Sequence, residues 1–171
     1  MSLSHSKLWE TAVKEWDIID CEEDFSCSES CVCGKEHLHY LYTIKNRETS
    51  EELYPIGSSC IKKFKNKELS EKTTDLEKMF NLHHAVEDGK YIKLTSDFFS
   101  KRLLFKLYKE GAFDNKYNKF DGTDDYEFML KMFNKKDKSS ITHNQQRKIN
   151  AIIINSIKPY LANKLRTKIK Y

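Results

Sequence analysis

Apolar residues recur along this chain with two different periods, and the change of period divides it. From Ser4 to Ile19, the residues Leu8, Trp9, Ala12, Val13, Trp16 and Ile19 share one side of a helical wheel with charges opposite. That spacing predicts an amphipathic helix packing both tryptophans on the body of the domain. Asp17, Asp20, Glu22, Glu23 and Asp24 then predict an acidic loop. From His37 to Ile44 the period drops to two, with Leu38, Tyr40, Tyr42 and Ile44 on one face and His37, His39, Leu41 and Thr43 on the other, which predicts a strand. Lys45 to Ser50 reads as a turn and Glu52 to Ile56 as a second strand. Pro55 removes a ladder donor, so this strand belongs at an edge or ends early. Gly57 and Ser58 break it, and Ser58 or Ser59 can cap a short helix carrying Cys60.

Beyond Phe64 the period is helical. Thr74 with Glu77 forms a capping-box pattern opening a helix through Met79, Phe80, His83 and Val86 to Gly89. Ser96-Asp97 opens another, with Phe99, Leu103, Leu104 and Leu107 inward and Gly111 as its stop. Thr123 or Asp124 starts a third, containing Phe128, Met129, Met132 and Phe133. Thr142 with Gln145 is a second capping box, ahead of the stripe Ile149, Ile152, Ile153 and Ile157. Pro159 ends or kinks that helix, and Tyr160 to Ile169 reads as a basic terminal helix. The methionine and aromatic stripes are explained as core, with no cofactor. The predicted organisation is α+β: residues 1–26 as a helix and acidic loop, 27–68 as a hairpin module, and 69–171 as a helical domain with basic C-terminal helices.

Length and composition narrow the class. The 171 residues, 39% hydrophobic with 10 Phe, 9 Tyr and 2 Trp, suit one domain carrying a small appended module. No apolar run approaches the roughly 20 residues that cross a bilayer, and the basic-then-apolar pattern of a secretion signal is missing. The expectation is a cytoplasmic protein without a membrane partner. Charge is unevenly placed: 12 acids against 5 bases up to Gly57, then 14 acids against 25 bases, with no acid after Asp137. Such asymmetry points to a polyanionic partner. The candidate phosphate contacts are Lys62, Lys63, Lys65 and Lys67 in the module, and Arg147, Lys148, Lys164, Arg166 and Lys168 further on. Tyr117 and Phe120, beside Lys116 and Lys119, can stack unpaired bases; the preferred reading is that they anchor their loop to the helices.

The cysteines carry the sharpest signal. Cys21, Cys27, Cys31, Cys33 and Cys60 are odd in number, which suits a metal site better than a disulfide framework. Cys27-Ser-Glu-Ser-Cys31-Val-Cys33-Gly34 resembles a zinc knuckle. Knuckle, hairpin, then a cysteine at a helix start is the order of a treble-clef zinc finger. The predicted ligands of one structural Zn²⁺ per chain are Cys27, Cys31, Cys33 and Cys60, with Cys21 and His37 as alternates for the fourth position.

Cys31-x-Cys33-Gly34, then Tyr42-x-Ile44-x-Asn46 and Ile56-Gly-Ser-x-Cys60-Ile-x-Lys-Phe64, resembles a pattern in small phage and large-DNA-virus proteins. The resemblance covers Cys27 to Phe64. It implies a treble-clef-like zinc module, supports Cys31, Cys33 and Cys60 as ligands, and suggests a viral or mobile-element origin. Three functions fit. The first is non-enzymatic nucleic-acid binding. The second is inhibition of a host defence, replication or transcription complex by protein contact, using the acidic N-terminal part. The third is a metal-dependent nuclease using His37 and His39. His-Glu-x-x-His, phosphate-loop, Gly-x-Ser-x-Gly and deaminase motifs are all missing, so an enzyme is the less favoured class.

Overall fold

The computed structural model describes residues 3–171. The fold is α+β, with two compact units: one ends at Glu77 and takes back Thr167–Tyr171, the other is Lys78–Arg166. The predicted boundaries at 26 and 68 are therefore replaced by one at 77, and the last five residues return to the first unit.

In the first unit a short helix α1 (Trp9–Ala12) leads into β1 (Trp16–Asp24), followed by β2 (Tyr40–Asn46), β3 (Glu52–Ile56) and helix α2 (Ser58–Lys63). The sheet order is β3-β2-β1-β4, where β4 (Ile169–Lys170) runs parallel to β1 and the other neighbours are antiparallel. The β2–β3 hairpin is present with Ile44 opposite Leu53, and the strand bearing Pro55 lies at the edge. Its core is Trp16, Leu41, Tyr42, Ile44, Ile56, Ile61 and Leu69, all buried.

The predicted helix over 4–19 and the acidic loop after it are both overturned. Only Trp9–Ala12 is helical, Leu8 and Ile19 face solvent, and the acidic stretch is a central strand. Asp is a poor strand former, and here distant partners compensate. Asp17 is paired with Lys72 and Arg47, Asp20 with Lys168 at 2.5 Å, Glu22 with Lys170 at 2.8 Å and Glu23 with His39 at 3.0 Å. The solvent-accessible pairs of Asp17, Asp20 and Glu22 contribute no more than about 1 kcal/mol each. Their main effect is to relieve the repulsion among five acids on one strand.

Helix α3 (Lys67–Glu87) starts seven residues before the predicted Thr74 capping box. Asn66 is the cap, its Oδ1 accepting from the Glu68 and Leu69 amides. The Thr73 and Thr74 hydroxyls instead turn back onto the Leu69 and Ser70 carbonyls inside the helix, the other use of a helical Thr.

The second unit holds the remainder of α3, then α4 (Lys101–Lys109), α5 (Thr123–Asn134), α6 (His143–Ile152) and α7 (Lys158–Leu165). Ser100, not Ser96, caps α4 by accepting from the Leu103 amide, while the Thr142–Gln145 capping box is present in full. Pro159 neither ends nor breaks the last helices. The preceding turn, Ile153–Ile157, is a π-helix, and this wider turn absorbs the missing proline donor. The terminal helix stops at Leu165, short of the predicted Ile169. Met79, Phe80, Phe99, Leu103, Leu107, Phe113, Met129, Ile149 and Leu161 form a buried core.

The 111–122 loop is held by its asparagines, not by its aromatic rings. Asn115 caps a 3-10 turn and donates to Ser156, and Asn118 donates to the Phe113 carbonyl and Asp125. Tyr117 and Phe120 are 73% and 72% exposed, against the predicted anchoring role. Gly122 closes this loop where a Cβ would lie 2.4 Å from the Phe113 Cβ and 2.7 Å from its carbonyl carbon. Gly122→Ala is expected to cost about 3 kcal/mol through overpacking, read from urea unfolding. A loss below about 0.5 kcal/mol, ordinary for a surface change, would show that the backbone gives way there.

Candidate metal centre

Two segments meet at the end of the hairpin. The turn Cys31–Gly34 is tightened by the Gly34 amide donating to the Cys31 carbonyl at 2.7 Å and the Cys31 amide donating to the Lys35 carbonyl at 2.8 Å. Gly34 has φ +86°, a left-handed value that a side chain would oppose. The Val32 amide ties the turn to β3 through the Pro55 carbonyl at 3.0 Å. The second segment is the first turn of α2, where Cys60 is buried.

The three sulfurs converge. Cys33 Sγ lies 2.9 Å and Cys31 Sγ 3.6 Å from Cys60 Sγ, and all three fall within 4.8 Å of one another. The Gly57 amide donates to Cys31 Sγ at 3.4 Å, an outer contact of the type that orients a thiolate ligand. A tetrahedral ion with metal–sulfur bonds of about 2.3 Å holds its sulfurs about 3.8 Å apart. The Cys31–Cys60 spacing is near that value, and the exposed Cys33 side chain needs to swing outward by about 1 Å. The trio can therefore hold a metal ion.

Protonation of the trio is uneven. A hydrogen bond from the Cys60 thiol holds Cys33 down to about 7, whereas burial pushes Cys60 up to about 12.

None of the residues predicted for the fourth position joins the trio. Cys27 Sγ lies 3.5 Å from the Asp24 carbonyl and 4.0 Å from His39 Nδ1. Cys21 is buried in β1, where burial pushes its thiol far up and keeps it neutral. His37 Nδ1 sits 3.2 Å from the Cys27 carbonyl. Nor do His37 and His39 share a strand face: both precede β2, and His37 has φ +59°. His39 is engaged with buried Glu23. Among the described residues, the only His/Cys/Asp/Glu group close enough to share an ion is Cys31, Cys33 and Cys60.

The candidate phosphate contacts divide. Lys62, Lys63 and Lys65 are exposed and have no acid partner among the described residues, and Lys67 is 3.7 Å from Glu71. Arg147 and Arg166 are exposed and have no acid partner among the described residues. Lys148, Lys164 and Lys168 are paired with Asp125, Glu110 and Asp20. Asp17, Asp20 and Glu22 of the acidic strand are paired with bases, whereas Glu10, Glu29, Glu36, Glu48 and Glu51 of the same unit are exposed. No described helix is long and apolar enough to cross a membrane.

Fold and site define an α+β protein with a three-cysteine cluster able to hold a metal ion. Comparison of the chain with protein-family models, curated proteins and solved structures returns no match. The reading of the site rests on its own geometry.

Proposed function

We propose that this is a zinc-containing, non-enzymatic nucleic-acid-binding protein. Cys31, Cys33 and Cys60 hold one Zn²⁺ per chain, which ties the knuckle-like turn to α2 in a treble-clef-like arrangement. Thiolates suit zinc, and three cysteines leave the fourth tetrahedral position to water or another ligand. The ion, when bound, cross-links the two segments. The chain's own work is done by α2 and the residues after it, which present lysines to phosphate.

One observation carries the reading. The helix that Cys60 anchors ends in Lys62 and Lys63 and is followed by Lys65, all exposed and unmatched by acid. Most other candidate cations lie against carboxylates, so this cluster is where a polyanion gains most. Each phosphate neutralised releases condensed counterions, so affinity falls as salt rises. Binding of a labelled oligonucleotide, measured from low to physiological salt, tests this. Lys62→Gln with Lys63→Gln and Lys65→Gln should flatten the log–log salt slope on single strands by about 2. An unchanged slope, or no binding at low salt, would refute nucleic-acid binding through this cluster.

A further inference from the structure

We infer that the groove beside the Trp9–Phe64 ring pair is a base-stacking subsite, which makes single-stranded nucleic acid the preferred partner. The inference rests on the nucleic-acid reading above and deepens it.

The groove has a volume of about 530 Å³ and is lined by Trp9, Val13, Lys14, Phe64, Lys65 and Lys67, with Asn66 and one acid, Glu10. Its walls are aromatic: the Trp9 and Phe64 rings stand 5.8 Å apart at 89°. Trp9 is 46% exposed, whereas Trp16, seven residues on, is 5% exposed. The walls are also fixed. Asn66 Nδ2 donates to the Val13 carbonyl while its Oδ1 caps α3. This one side chain links the segment after α1 to the start of the long helix.

Shape and charge select the occupant. The part of Trp9 left exposed beside its edge-to-face contact with Phe64 offers a flat ring a surface to stack on. Lys14, Lys65 and Lys67 rim the slot, and Lys62 and Lys63 immediately precede Phe64. Aromatic faces beside a track of cations are the features that bind unpaired bases and their phosphates together. In a duplex the bases are stacked on one another and cannot enter, so only the phosphate contacts remain. The Asn66 amide group is spent on the backbone, leaving no side-chain amide in the groove to read base edges. Stacking there is therefore tolerant of sequence. A carboxylate-rich peptide would satisfy the lysines but leave the aromatic faces without a planar partner.

The test uses the full chain with labelled oligothymidylate, a duplex of equal length, and polyglutamate as competitor. Trp9→Ala should weaken single-strand binding about ten- to a hundredfold and leave duplex binding unchanged, while Trp9→Phe should restore most of the loss. Intrinsic fluorescence gives a second readout. Oligothymidylate should quench the Trp9 emission, and the quenching should vanish in Trp9→Phe, where only buried Trp16 remains. If Trp9→Ala binds single strands as well as the parent while the lysine triple variant does not, the groove proposal falls and the phosphate reading stands. If neither variant changes binding, or neither nucleic acid binds, both fall. If polyglutamate competes as well as oligothymidylate, the groove is a peptide site and the proposal is overturned.

Discussion

Cys60→Ser is expected to abolish metal retention and to loosen the whole first unit. Purified parent protein should carry about one zinc per chain, the variant almost none. Structural zinc sites bind with about 10–16 kcal/mol at neutral pH, as much as the entire stability of a typical domain at about 5–15 kcal/mol. Cys33 and Cys60 are 27 residues apart, and an ion held by both would join their segments. Its loss should expose the amides of Cys31–Lys35 and α2 to hydrogen exchange and remove near-ultraviolet dichroism. Cys27→Ser should keep its zinc, since the Cys27 sulfur lies against Asp24 and His39. Loss of zinc from Cys27→Ser would place Cys27 in the coordination shell after all. A metal-free parent with undiminished dichroism would remove the centre altogether. Acidity should act in a fixed direction. Loading expels the proton of Cys60, whose thiol is pushed up to about 12, and below about 7 it must expel the Cys33 proton as well. Affinity therefore falls as pH falls, and the slope steepens by one proton on crossing about 7, measurable by competition with a chromophoric chelator.

Asn46→Ala should be the most damaging change away from the cysteines, costing about 3 kcal/mol in urea unfolding. Asn46 is fully buried and all its polar capacity is used. Its Nδ2 donates to the Leu3 carbonyl at 3.2 Å and to Glu15 at 3.0 Å, and its Oδ1 accepts from the Glu48 and Thr49 amides that shape the β2–β3 turn. Alanine would leave two turn amides without their partner, take one donor each from the Leu3 carbonyl and Glu15, and open a void. Asn46→Asp should not rescue the loss, because it sets a second carboxylate beside Glu15. A cost below about 1 kcal/mol for the alanine variant would mean that water replaces the side chain at little penalty.

Parts of this architecture could be read from the chain alone because their causes are local. The hairpin follows from alternation between Leu38 and Ile56 with a polar turn, and Pro55 at the edge follows from its missing donor. The capping box at Thr142 is a contact between residues three apart. Cys31, Cys33 and Cys60 were recognisable because a turn, a hairpin and a helix return the chain to its starting point. Thr74 and Glu77 had the same spacing as a true cap and misled, since Asn66 had already opened the helix. The fourth ligand was not legible at all. Cys21, Cys27 and His37 all lie within ten residues of Cys31, and only the path of β1 and the loop after it separates them from the trio.

The periodicity and cysteine spacing by themselves determined a hairpin, a helical remainder and a cysteine meeting point, of whose four predicted members Cys31, Cys33 and Cys60 come together. Tertiary structure alone decided that an acidic run becomes a central strand. Its carboxylates find Lys72, Arg47, Lys168 and Lys170, and the last two are 148 residues away from their partners. Local propensity is set by neighbours along the chain. Here it was outweighed by cross-strand hydrogen bonds and countercharges supplied by a C-terminal segment, whose return no residue near Asp17 encodes.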